Sequence, residues 1–148
     1  MAVITTDILL EGVRRDVVFD WLGQPDNHQA LLQGAFDEVR KVEAGTYEMK
    51  LRSRPVARPL KYVVDRKDDS HGGRRVLCRT EGRRVAGSLH YSLRTMKPST
   101  NTLLTVHFDY DPGKVLGALL DQAVLRKDLE AALKRIAENA GAAVPREG

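Results

Sequence analysis

From about residue 35 onward, apolar side chains fall on every second position. Tyr47, Met49 and Leu51 alternate with Glu48, Lys50 and Arg52; Leu60, Tyr62 and Val64 with Lys61, Val63 and Asp65. Val76, Cys78 and Thr80 alternate with Arg75, Leu77 and Arg79. Leu89, Tyr91 and Leu93 alternate with Ser88, His90, Ser92 and Arg94; Leu104, Val106, Phe108 and Tyr110 with Thr105, His107 and Asp109. A period of two marks half-buried antiparallel strands with one dry face. The breaks fall on turn-forming stretches at Ala44–Gly45, Asp68–Gly73, Glu81–Gly82 and Lys97–Asn101. Ahead of these strands the pattern differs. Residues 3–12 read as a first strand, and residues 15–22 have helical spacing, with Val18 and Leu22 on one side and Val17 and Trp21 on another. Gly23 stops that helix, and Pro25 fits the first turn of a second short one over roughly 25–32.

The strands end at DYDPG, residues 109–113, where Asp111 can cap and Pro112 can open a long helix running to about Ala140 and stopped by Gly141. At 100° per residue, Val115, Leu119, Leu129, Leu133, Ile136, Ala137 and Ala140 share one face, with Leu116, Leu120, Ala123 and Val124 to one side. Gln122 and Arg126 fall on the same buried face. The order predicts an α+β domain over residues 1–141 and a loose tail over 142–148. Its curved antiparallel sheet of about six to seven strands needs a cover, and only the last helix is long enough to cross it. A strongly curved sheet need not close onto that helix, so a cavity between them is expected.

Composition narrows the function classes. The 148 residues are 42% hydrophobic and 30% charged, an ordinary globular balance. The net charge of +4 permits an anionic partner, but 20 acidic residues are interspersed with 24 basic ones, which argues against nucleic acid. The single cysteine, Cys78, excludes an internal disulfide and a CxxC metal motif. MAVITTDILL lacks the basic start of a secretory signal, and no apolar run approaches the roughly 18 residues of a membrane span. A cytoplasmic protein without stable membrane insertion, monomeric or homodimeric, is expected. No phosphate loop, GxSxG or HExxH is present, so neither cofactor nor metal is expected.

Five constellations carry candidate chemistry. Asp20, Asp26 and His28 resemble an acid/base or metal cluster, but they sit on two short helices with no second histidine near, and read as solvated surface. If Lys97–Thr100 is a hairpin loop, partners sum to 197, so that His90 faces His107 and Ser88 faces Asp109. This pair lies on the wet face, and zinc wants three or four ligands. Cys78 lies on the inner face without a cation to activate it. Arg74, Arg75, Arg79, Arg83 and Arg84 read as an ion-paired outer surface balanced by Asp65, Asp68 and Asp69 rather than a nucleic-acid site. The sharpest candidate is the inner face. Tyr62, Tyr91 and Tyr110 supply hydroxyls there, and Gln122 and Arg126 would meet the polar head of an apolar ligand, unless Arg126 snorkels to the sheet edge.

Three segments in this order resemble the START/Bet v 1-like (SRPBCC) superfamily, and within it the polyketide cyclase/dehydrase and lipid-transport branch. They are EGVRRDVVFDWLGQPDNHQALL, GSLHYSLRTMKPSTNTLLTVHFDYDPG, and KVLGALL with LRKDLEAALKRIAE. The resemblance implies the helix-grip fold and a hydrophobic pocket between sheet and C-terminal helix. Members bind lipids, sterols, polyketides or other apolar molecules, and a few act as cyclases or aromatases. It carries over no catalytic motif, so fold does not give function. The expected function is binding, with transport or sensing as its use, of a small hydrophobic molecule. Tyr62, Cys78, Tyr91, Val106, Phe108, Tyr110, Leu119, Gln122, Ala123 and Arg126 are the expected ligand-binding residues. The alternative is a cyclase/aromatase or dehydratase using pocket tyrosines.

Overall fold

The computed structural model describes residues 2–50, 60–82, 86–97, 100–111 and 118–142. Seven strands form one antiparallel sheet: β1 (Ala2–Leu10), β2 (Asp37–Glu43), β3 (Thr46–Lys50), β4 (Leu60–Asp68), β5 (Arg75–Glu81), β6 (Ala86–Thr95) and β7 (Thr102–Asp111). Their spatial order is β1-β7-β6-β5-β4-β3-β2. Strands β2 to β7 thus follow one another as a meander, and the first strand returns to pair with the last. Helices α1 (Arg15–Leu22) and α2 (His28–Ala35) lie between β1 and β2, joined through a 3-10 turn over Pro25–Asn27. The long helix α3 (Ala118–Ala142) follows β7. This is the helix-grip arrangement that the sequence predicts.

The period-two pattern accounts for the sheet. Along β7, Thr102, Leu104, Val106, Phe108 and Tyr110 are buried and the residues between them are partly exposed. The β6–β7 register pairs His90 with His107 and Ser88 with Asp109, as the hairpin reading requires. At β4 an extra residue, Asp65, is inserted where Val64 faces Cys78 and Arg66 faces Leu77. Such a bulge bends and twists its strand, which helps turn the sheet's dry side inward. A Cβ at Gly87 would collide with the Asp109 carbonyl and the Tyr110 Cα, so the two strands approach there only because that position has no side chain.

Helix α3 buries Leu125, Leu129, Ala132, Leu133, Ile136 and Ala140. This is a helical stripe laid on the dry face, and each leucine-sized side chain so buried stabilises the fold by roughly 2 kcal/mol. Helix α1 packs beside it through Val18, Phe19 and Leu22. Lys67 Nζ sits 4.8 Å from the Phe19 ring centroid, a cation–π contact that tethers α1 to β4. No helix among the described residues is long and apolar enough to cross a membrane.

One expectation about α3 is corrected. Gln122 and Arg126 are not on its buried face: Gln122 is half-buried and Arg126 exposed, as is Ala123. Among the described side chains of α3, the first buried one is Leu125, and the flank beside the stripe meets the open edge of β1. There Gln122 Nε2 donates to the Val3 carbonyl at 3.5 Å and Arg126 Nη1 to the Thr5 carbonyl at 3.0 Å. Four helical residues rise roughly 6 Å and two strand residues roughly 6.6 Å, so one spacing matches the other. Carbonyls two residues apart point the same way, so the pair covers part of an edge that would otherwise invite another strand.

Candidate functional site

The site begins with the short helix α2. His28, Leu31, Leu32 and Ala35 occupy one helical face, and all four are buried. The histidine is therefore carried into the interior with its apolar neighbours. It does not share the surface of Asp20 and Asp26, which corrects the reading of that stretch as solvated throughout. Those two aspartates are exposed, and pair with Lys67 at 3.6 Å and Lys41 at 2.7 Å.

Both ring nitrogens of His28 are engaged. Nε2 lies 2.6 Å from the Leu22 carbonyl and Nδ1 2.9 Å from the Tyr62 hydroxyl. Leu22 is the last residue of α1, so its carbonyl lacks a partner within its own helix. The imidazole supplies one, and in doing so joins the end of α1 to the sheet. The Tyr62 hydroxyl lies 3.1 Å from that of Tyr91 and 3.3 Å from Cys78 Sγ. Tyr62, Cys78 and Tyr91 come from β4, β5 and β6, on the inner face that their alternation predicts. The four side chains make one polar cluster inside an apolar core.

Burial sets the protonation states. It lowers the pKa of His28 to about 4, against the pull of the Leu22 carbonyl, which favours the charged ring. Burial pushes the Cys78 thiol up to about 12 and raises both tyrosines, Tyr62 with added effect from Cys78 and Tyr91. At neutral pH all four groups are uncharged. Cys78 is thus an inert thiol rather than a nucleophile, as expected of a cysteine without a cation beside it.

Beside this cluster, among the described residues, lies a void of about 10 Å³. Leu31 and Leu32 of α2 close one side, Leu125, Leu129 and Ala132 of α3 another, and Tyr62, Leu89, Tyr91 and Phe108 form the sheet wall. That is close to the threshold for a single water, far from the roughly 300–1,000 Å³ of a ligand pocket. Here the helix sits closely against the sheet, where the sequence leads one to expect an open cavity.

The expected ligand-binding residues separate accordingly. Tyr62, Tyr91 and Phe108 line the void, and Cys78 joins the polar cluster behind it. Val106 and Tyr110 are buried on the same face of β7, and Tyr110 stacks on Phe108 with centroids 4.8 Å apart, but neither reaches the void. Gln122, Ala123 and Arg126 lie outside it, on the flank of α3. The side chain of Leu119 lies outside the described residues. The expected set left out His28, which was read as solvated surface, and the void-lining Leu31 and Leu32, with Met49 and Thr80 among others. The signal for the first three was their spacing of three and four residues, which puts His28 on the apolar face of α2.

Outside the interior, His90 and His107 stack with centroids 5.1 Å apart, and Thr5 Oγ1 lies 3.0 Å from His107 Nδ1. Among the described residues no three His, Cys, Asp or Glu side chains gather where a metal could bind. The basic stretch is laced with acids: Arg74 meets Asp16 at 3.1 Å, Arg75 meets Asp68 at 2.7 Å, and Arg79 meets Asp65 and Glu81. Arg83 and Arg84 lie outside the described residues.

No protein-family model and no curated protein matches the sequence. Solved structures do match its fold. The ZhuI aromatase/cyclase from Streptomyces sp. R1128 superposes with a TM-score of 0.71 at 14% identity, over 99% of this chain and 98% of its own. Norcoclaurine synthase of Thalictrum flavum, a point mutant in complex with a transition-state analogue, gives 0.69 at 12% identity over 95% and 94%. The protein XoxI from Bacillus cereus gives 0.67 at 12% identity over 94% and 95%. At these identities the likeness is one of fold. The chain shares the helix-grip fold of these structures.

Proposed function

We propose that this protein binds a small hydrophobic molecule between the sheet and α3, with Tyr62 and Tyr91 orienting its polar group. The observation that carries the reading is the His28–Tyr62–Tyr91 cluster: hydrogen-bonded polar groups buried in an apolar interior, beside the void that α2, α3 and the sheet enclose. Two neighbours in fold support it, an aromatase/cyclase and a synthase holding a transition-state analogue. Affinity would come from apolar area removed from water, at about 25 cal/mol per Å². Part of that gain is spent in parting α3 from the sheet, because the described void holds no more than a water.

Binding is favoured over the cyclase or dehydratase reading by the protonation states of the cluster. A general base needs a free lone pair and a pKa near the working pH. The unprotonated nitrogen of His28 is occupied by Tyr62, and burial holds its pKa near 4. Organic extraction of the purified protein, with mass spectrometry of the extract, tests the proposal alongside thermal unfolding in the presence of lipophiles. We expect a co-purified apolar molecule, or a lipophile that stabilises by about 2.7 kcal/mol when present at a hundred times its Kd. An empty extract together with an unmoved melting temperature across alcohols, ketones, fatty acids and polycyclic aromatics would sink it.

A further inference from the structure

The outer face of the sheet carries two metal-type donors that the ligand-binding reading leaves unused. Register places Leu77, His90, His107 and Thr5 in one row across β5, β6, β7 and β1. His90 and His107 are direct cross-strand neighbours, and residues so placed have Cβ atoms roughly 4.5–5.5 Å apart. Their rings lie with centroids 5.1 Å apart at an interplanar angle of 26°. A metal bound to an imidazole nitrogen at about 2.0–2.1 Å lies roughly 3.2 Å from the ring centre. Two rings sharing one ion therefore have centres from roughly 4.5 Å apart, at a right angle, to roughly 6.4 Å, in line. The observed separation falls inside that window. The rings must still tilt toward each other to aim both lone pairs at one point, and the second side-chain torsion of histidine is soft enough to allow it.

Two further observations fit a cation here. Thr5 Oγ1 lies 3.0 Å from Nδ1 of His107. A hydroxyl accepts as readily as it donates, so it can take the Nδ1 proton and leave Nε2 with a free lone pair, the state in which a histidine ligates metal. His90 makes no hydrogen bond among the described residues, so its nitrogens are uncommitted. One row along the same face, Asp109 follows His107 by two residues, and its Oδ1 is buried with no hydrogen-bond partner among the described residues. A buried carboxylate oxygen without a donor calls for positive charge. The arginines of β5 in the two flanking rows are committed elsewhere, Arg79 to Asp65 and Glu81, and Arg75 to Asp68. We propose that His90 and His107 form a two-histidine site for a late divalent transition metal, copper(II) above all, with water completing its coordination and the Asp109 carboxylate balancing its charge. Two histidines without a third protein ligand do not suit zinc, whereas copper(II) accepts two imidazoles and waters in a square arrangement. Of the first-row divalent metals, copper(II) also binds nitrogen donors most tightly. The site lies across the sheet from the void, so it stands or falls independently of the ligand-binding reading.

The test uses the full chain without an added histidine tag, titrated with copper(II) chloride in a buffer that does not bind metal. Calorimetry reads the affinity and electron paramagnetic resonance reads the ligands. His90→Asn and His107→Asn each remove one donor from the outer face. His71→Asn is the control, because His71 is exposed on the turn between β4 and β5 and belongs to no such pair. Two donors held together bind about a hundredfold more tightly than one. Each outer-pair variant is therefore expected to weaken the first copper equivalent about a hundredfold, and His71→Asn to leave it unchanged. The spectrum of the bound ion is expected to carry coupling from two imidazole nitrogens in the wild type and from one in either outer-pair variant. Unfolding curves of the metal-free variants, expected to match the wild type closely, separate a lost ligand from a lost fold. A wild type that binds copper no more tightly than His90→Asn or His107→Asn, or whose spectrum shows a single imidazole, overturns the proposal, as does a loss confined to His71→Asn.

Discussion

Two of the molecule's histidine settings are about as different as one small fold allows. His28 is sealed inside, each nitrogen spoken for by a different element of structure. His90 and His107 stack on the outer face of β6 and β7, with solvent nearby and one side-chain partner, Thr5. Burial lowers the pKa of His28 to about 4; it lowers that of His90 as well, helped by His107 and Arg75. The difference is replaceability. Water can take over what the outer pair does, whereas nothing can reach the Leu22 carbonyl or the Tyr62 hydroxyl if the buried ring is lost. Position in the fold, not residue type, decides how much a histidine matters here.

The largest effect expected from this contrast is that of His28→Ala. It leaves the Leu22 carbonyl without a partner, strips Tyr62 of its acceptor and opens a cavity. A loss of about 4 kcal/mol in urea unfolding is expected; a loss under about 1 kcal/mol would place His28 on the same footing as the outer pair. Next comes pH. The unfolded chain protonates this histidine near pH 6.5, the folded protein only near pH 4. Between those values the unfolded state binds more protons, so stability is intact above pH 6.5 and falls as the pH drops, by about 3 kcal/mol once pH 4 is passed. The difference in stability between wild type and His28→Gln, followed from pH 7 to pH 4, isolates this share from that of the carboxylates. A pH-independent difference would mean that the ring is not buried neutral. The smallest effect belongs to the outer face, where His90→Ala and His107→Ala are each expected to cost about 0.5 kcal/mol or less. A large loss from either would show that the pair also braces the sheet.

The same contrast explains what could be read in advance. The outer pair followed from arithmetic, because strand alternation fixes the face and a hairpin loop fixes the register, so His90 opposite His107 needed no tertiary information. Tyr62, Cys78 and Tyr91 followed in the same way as inner-face residues. His28 did not, because an eight-residue helix has too few turns for its apolar face to stand out, and two exposed aspartates nearby drew the eye. The misplacement of Gln122 and Arg126 has a related cause. A helical wheel gives relative angles along one helix but not where its neighbours stop, and at the start of α3 the neighbour is a strand edge. The closeness of α3 to the sheet around the void was equally hidden, since it depends on how side chains from α2, α3 and five strands interdigitate.

The pairing of β1 with β7 carries a consequence for how the chain is assembled. The partner of Ala2–Leu10 is Thr102–Asp111, about a hundred residues further on. At about 5–20 residues per second, a ribosome needs roughly 5 to 20 seconds to make that stretch. Neighbouring strands of the meander can meet in about 1–10 μs once they emerge. Strand β1, made before the other six, is therefore the last to be placed, and it waits with six of its nine residues apolar. Helix α3 arrives immediately after β7, and through Gln122 and Arg126 it latches the edge that β1 has only just formed. Strand β1 and helix α3 complete the sheet's cover together.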